Sequence, residues 1–127
     1  MAANVLIKGG RIIDPSQSVD EISDLLVTDG IITEIKTSID RPRNSDVFDA
    51  EGKVVCPGFI DLHCHLREPG EEYKETIQTG TAAAAAGGFT TVCAMPNTVP
   101  TMDNQSVVEY VLKKAKETAQ IRVLPIG

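Results

Sequence analysis

The chain has 127 residues, of which 42% are hydrophobic and 24% charged, enough for one modest domain with an ordinary globular make-up. Its net charge of -6, with no basic cluster to offset it, argues against a nucleic-acid or anionic-membrane surface. The longest apolar run, Ala82 to Ala86, is far too short to cross a bilayer, no cationic-then-apolar leader is visible, and Cys56, Cys64 and Cys93 read as reduced thiols, so a cytoplasmic location is expected.

Residues 4 to 55 read as short strands joined by turns. Gly9-Gly10 falls between Val5-Leu6-Ile7-Lys8 and Arg11-Ile12-Ile13 and predicts a hairpin, and Asp14-Pro15-Ser16 turns the chain again. Asp29-Gly30, between Asp24–Thr28 and Ile31–Ile35, is the stronger hairpin signal, because Asp-Gly suits a two-residue primed turn. Residues 37 to 46 are polar and predict an exposed loop. Glu51-Gly52, between Val47-Phe48-Asp49 and Lys53-Val54-Val55, predicts a last hairpin. With so few aromatics, this β-unit is expected to need a partner sheet to cover its apolar face.

The pattern changes at about residue 56, which divides the chain into 1–55 and 56–127. Residues 57 to 65 predict a short buried strand, punctuated in front by Pro57-Gly58 and followed at the back by Pro69-Gly70. A helix follows from about Glu72 to Ala86. Thr76, Gly80 and Thr81 weaken it, its alanines allow close packing on a sheet, and Gly87-Gly88 stops it. Phe89 to Met95 predicts a second buried strand and Pro96 to Pro100 a rigid loop. A second helix is expected from Asn104 to Ala119, capped by Asp103, with an inner stripe of Val107, Val108, Val111, Leu112, Ala115 and Ala119. Ile121 to Ile126 begins a third strand. The order β-loop-α-β-loop-α-β implies an α/β fold with parallel strands and right-handed crossovers. A (β/α)8 barrel needs roughly 250 residues, so the expected barrel is incomplete, with two βα units and the start of a third.

The candidate chemistry sits at the end of the first of these strands. His63 and His65 are the chain's two histidines, two positions apart. Alternate side chains of a strand share a face, so Asp61, His63 and His65 point one way, and Ile60, Leu62 and Cys64 point the other, into an apolar layer. Two imidazoles on one face can close on one metal ion, with Asp61 placed to orient a ring as an outer acceptor. Strand parity turns Cys64 away from the pair. Arg67 is suited to gripping a carboxylate with two parallel bonds, and is equally consistent with a solvated surface arginine. Asn97, after the second strand, can bond the same anion, or simply serve turn chemistry between two prolines.

The run Asp61-Leu62-His63-Cys64-His65-Leu66-Arg67-Glu68-Pro69-Gly70 resembles the first-strand signature of dihydroorotases in the amidohydrolase superfamily, and Met95-Pro96-Asn97-Thr98-Val99-Pro100 resembles their second. The β-unit ending in Val55-Cys56-Pro57-Gly58-Phe59-Ile60-Asp61 is similar to how such proteins begin. The resemblance implies part of a small β-sandwich followed by the first third of a TIM-type (β/α)8 hydrolase barrel. It implies reversible cyclisation of N-carbamoyl-L-aspartate to L-dihydroorotate in pyrimidine synthesis. His63 and His65 would bind zinc, two ions per complete site, and Arg67 and Asn97 would hold the substrate's α-carboxylate. The remaining metal ligands and the general base belong to later strands, so no catalytic base is expected within these 127 residues, and the piece alone is expected to be inactive. Two alternatives stand beside this: another cyclic amidohydrolase, such as an allantoinase or hydantoinase, and a metal-free dihydroorotase-like scaffold that binds aspartate transcarbamoylase. A homodimer is common among such proteins.

Overall fold

The computed structural model describes residues 4–127, which divide into two compact units, one ending at Pro57 and the other Gly58–Gly127. The first unit is a five-stranded mixed sheet. Strand β1 (Asn4–Asp14) pairs antiparallel with β2 (Val19–Thr28), which pairs antiparallel with β3 (Ile31–Lys36). Strands β4 (Ser45–Asp49) and β5 (Val54–Val55) both run parallel to β1. The β2–β3 connection is the expected primed turn, with φ of 51° at Asp29 and 81° at Gly30. Leu6, Ile12, Leu25, Ile39 and Ala50 are the buried apolar residues of this unit, whereas Ile31, Ile32 and Phe48 stay exposed.

Two expected hairpins are corrected. At Gly9-Gly10 the chain does not reverse: β1 runs through both glycines, with a bulge between Ile7 and Gly10. Gly9 has φ of 67°, and its N–H is satisfied by the Asp24 carboxylate at 2.9 Å, so the irregularity is held from the neighbouring strand. At Gly10 a Cβ would lie 2.6 Å from Val55 Cγ2. Glu51-Gly52 is likewise no hairpin. β4 pairs with the first half of β1 and β5 with the second, as successive segments of one parallel track. The interruption between them falls opposite the β1 bulge, where the Ala50 N–H donates to Lys8 O and the Arg11 N–H to Lys53 O. The 37–46 loop is not wholly exposed either: Ile39 is buried and donates its N–H to Asp24.

The second unit is a parallel three-stranded sheet in the order β6 (Phe59–Cys64), β7 (Phe89–Ala94), β8 (Arg122–Pro125). Helix α1 (Ile77–Ala86) packs on β7, and α2 (Gln105–Thr118) packs on β8 and on α1. Their shared core is Leu66, Ile77, Val92, Ala94, Met102, Val107, Val111 and Val123, each worth about 1.5–3 kcal/mol where a large side chain is fully buried. Among the described residues no helix is long and apolar enough to cross a membrane.

α1 starts five residues later than expected. Thr76 caps it by accepting from the Thr79 N–H, while the Thr79 hydroxyl accepts from the Thr76 N–H, a reciprocal capping box. Its inner stripe is Ile77, Gly80, Thr81 and Ala84, and the other alanines of the run face solvent. The close approach is made by Gly80, where a Cβ would meet Leu66 and Glu75 at 2.8 Å. Thr81, helix-weakening by propensity, is fully buried because its hydroxyl donates to Ile77 O and accepts from the Gln120 N–H. α2 is capped by Asn104, not Asp103, through the Val107 N–H. Of its expected stripe, Leu112 is exposed.

The expectation that β6 is a buried strand is also corrected. Ile60 is 60% and Leu62 73% exposed, and of the residues expected to face the apolar layer only Cys64 packs on the core. Among the described residues β6 lies at the edge of the sheet, and the helices lie over β7 and β8.

Candidate functional site

The C-terminal end of β6 presents the two imidazoles side by side, with ring centroids 5.2 Å apart and planes inclined by 64°. Two imidazoles bound to one tetrahedral ion by metal–nitrogen bonds of about 2.1 Å have centroids about 5 Å apart, so the pair fits a shared metal ion. His63 is exposed and His65 half-buried. Among the described residues no group of three His, Cys, Asp or Glu side chains is placed to hold a metal.

Cys64 takes no part in this pair. It packs against the core below, where burial, and secondarily the charges of Asp61 and Glu75, push its thiol up. Asp61 uses one carboxylate oxygen to accept the backbone N–H of His63 at 2.9 Å. It therefore fixes the backbone that carries the ring rather than the ring itself.

Asn97 reaches the same rim from the other loop. Its side-chain oxygen is 2.8 Å from Nδ1 of His65. Three backbone contacts hold the two loops together: the Met95 N–H donates to Cys64 O, the Val99 N–H donates to Pro69 O, and Gly70 packs on Val99. Gly70 has φ of 100°, and a Cβ there would lie 2.0 Å from the Val99 carbonyl oxygen, so the approach requires glycine.

Arg67 sits two residues beyond His65 with φ of 58°. The Glu68 N–H donates to Leu66 O at 2.8 Å, closing a three-residue turn of positive φ centred on Arg67, a strained conformation concentrated at binding sites. The turn is held from both sides, because Leu66 and Glu68 are buried. The guanidinium, about one-third exposed, lies 3.6 Å from Glu71. Glu71 also pairs with Lys74, and a hydrogen bond from Lys74, helped by the charges of Lys74 and Arg67, holds its carboxyl below the ordinary range.

Sequence reasoning passed over Glu71, and Glu68 except as a letter of a signature. Glu68 is 4% exposed. It accepts the Ile77 N–H at 2.8 Å, and the Lys114 ammonium lies 3.6 Å away and the Tyr110 hydroxyl 3.4 Å away. Burial, then the Glu68 charge, push the Tyr110 phenol up. A carboxylate just ahead of a helix, with Tyr110 and Lys114 at i,i+4 spacing on a later helix, was the available signal, but nothing local pairs residues 68 and 114.

Residues 52–127 match a family model described as dihydro-orotase-like. Curated relatives named dihydroorotase include those of Geobacter sulfurreducens, 55% identical over 124 residues, and Acetivibrio thermocellus, 54% identical over 123. These alignments cover 98% and 97% of this chain and 29% of each relative, so the chain spans under a third of their length. Among solved structures, an L-hydantoinase (dihydropyrimidinase) from Arthrobacter aurescens superposes with a TM-score of 0.86 at 26% identity, over the whole chain and 28% of that protein. A D-hydantoinase (dihydropyrimidinase) from Thermus sp. gives 0.77 at 32% identity, covering 95% of this chain and 26% of its own.

Proposed function

The chain belongs to the dihydro-orotase-like family, and from that membership we propose that it is the N-terminal part of a zinc-dependent dihydroorotase that interconverts N-carbamoyl-L-aspartate and L-dihydroorotate in cytoplasmic pyrimidine synthesis. β6, β7 and β8 would then be the first three strands of a (β/α)8 barrel, whose active sites lie at strand C-termini. The observation that carries the assignment is the bond between His65 and Asn97, which joins the His-x-His strand end and the Met95–Pro100 loop on one rim.

His63 and His65 would hold zinc, which when bound makes hydroxide available near neutral pH and polarises the ring carbonyl. Arg67 and Asn97 would grip the α-carboxylate, with the strained turn at Arg67 aiming the guanidinium along the rim. Ring opening adds water across one amide: the carbonyl carbon gains oxygen, the C–N bond breaks, and nitrogen takes a proton. Cyclisation is the reverse. The proton-carrying base and the remaining metal ligands would come from sequence beyond these residues, in keeping with the 29% of each relative that the chain spans.

Hydantoinase-type hydrolysis is the second reading, favoured by the superposition on the Arthrobacter enzyme. Hydantoin has no α-carboxylate, which leaves Arg67 and Asn97 without an anion to bind. Initial rates of the full-length protein on L-dihydroorotate, hydantoin and allantoin, together with its zinc content, separate the possibilities. Turnover of dihydroorotate alone is expected. Turnover of hydantoin alone would replace the assignment with the second reading, and a zinc-free, inactive protein would favour the scaffold that binds aspartate transcarbamoylase.

A further inference from the structure

We propose that Asn97 is a positioning residue for His65: its amide oxygen holds the proton on Nδ1 and so leaves Nε2 unprotonated and aimed for a metal ion. The inference rests on the proposed metal site and gives Asn97 a task independent of any substrate.

The amide oxygen, at 2.8 Å from Nδ1, has only lone pairs to offer, and this amide orientation assigns the donor role to the imidazole. A neutral ring that donates from one nitrogen accepts, or ligates, at the other. Ligating histidines commonly give their second N–H to an oxygen in this way, and the oxygen fixes both the tautomer and the ring orientation. Here the oxygen comes from a residue 32 positions away, on a loop tied to the His65 loop by the Val99–Pro69 bond. Asp61, the carboxylate nearest in sequence, is turned to the His63 backbone and does not serve this purpose. The amide NH2 of Asn97 makes no hydrogen bond among the described residues, so one side chain can meet the ring with its oxygen and an anion with its nitrogen.

The test uses Asn97→Ala and Asn97→Asp in the full-length protein. In metal-free protein, 15N chemical shifts of the His65 ring are expected to show one tautomer, with the proton on Nδ1. Asn97→Ala should mix the tautomers and weaken zinc, measured against a chelating dye without substrate, about 10- to 100-fold. Asn97→Asp keeps an acceptor oxygen and should retain the tautomer and the zinc affinity. It removes the NH2 donor and adds a negative charge, so it should raise KM for dihydroorotate. A proton found on Nε2 in the parent protein, or an Asn97→Ala variant with unchanged shifts and unchanged zinc affinity, would overturn the proposal. A correct tautomer and zinc response in a protein that does not turn over dihydroorotate would remove the proposed function and leave this inference standing.

Discussion

The Glu68 carboxylate accepts the Ile77 N–H at 2.8 Å, so the loop that leaves the His-x-His strand is bonded directly to the first turn of the helix it leads into. A buried negative charge at a helix N-terminus satisfies an orphan donor and complements the helix dipole. Glu68→Ala strands that donor and leaves Lys114 without its 3.6 Å partner. A loss of about 2–4 kcal/mol is expected, and Glu68→Gln, which keeps an acceptor, should lose clearly less. Urea unfolding of the two variants checks this. Equal losses would mean that the charge, not the bond to Ile77, matters.

Gly70 and Gly52 share a positive φ but not a neighbourhood. At Gly70 a Cβ meets the Val99 carbonyl at 2.0 Å, whereas at Gly52 nothing lies within 4 Å. Gly52→Ala should cost about 1 kcal/mol, the local backbone penalty alone. Gly70→Ala should cost about 2–4 kcal/mol and push the Asn97 loop off His65. Thermal unfolding ranks the two, and loss of zinc affinity in Gly70→Ala but not in Gly52→Ala tests the link to the site.

Asp24 is expected to make the first unit sensitive to acid. Burial by itself pushes its carboxyl up, but the N–H groups of Ile39 and Gly9 and the Lys8 ammonium outweigh burial and hold it below the ordinary value. A depressed folded value means that its stabilisation is complete above the unfolded value, about pH 3.9, and is lost as pH falls through the folded one. Stability should therefore drop below about pH 4. Asp24→Asn should remove this part of the acid dependence and cost about 1–3 kcal/mol at neutral pH. Denaturant midpoints of both proteins between acid and neutral pH decide it, and parallel curves would remove Asp24 as the cause.

Arg67→Lys keeps the charge and can adopt the same strained turn, but loses the planar fork. KM for dihydroorotate should rise about 10-fold or more while zinc content stays the same. An unchanged KM would leave Arg67 as a partner of Glu71 and nothing further.

What could be read from the chain was whatever a few consecutive residues decide. The period of two predicted His63 and His65 side by side at the end of β6, and their rings lie 5.2 Å apart there, with His65 just past the strand. Asp29-Gly30 specified its primed turn, because both positions needed positive φ and both residues tolerate it. The alternation of β and α segments after residue 57 implied parallel strands, since no short loop can join them.

The tertiary structure decided everything that needed a distant partner. Gly9-Gly10 is a turn by local chemistry and a bulge in fact, because Asp24 supplies the hydrogen bond and the β4–β5 track follows the irregularity. Ile60 and Leu62 read as buried by composition and lie exposed within these 127 residues, because cover depends on which neighbours arrive and no strand here pairs with the free side of β6. Asn97, between two prolines, could have been a turn residue only. Its contact with His65 spans 32 positions, and a side chain's hydrogen-bond partner at that separation is set by how two loops pack, not by the residues beside it.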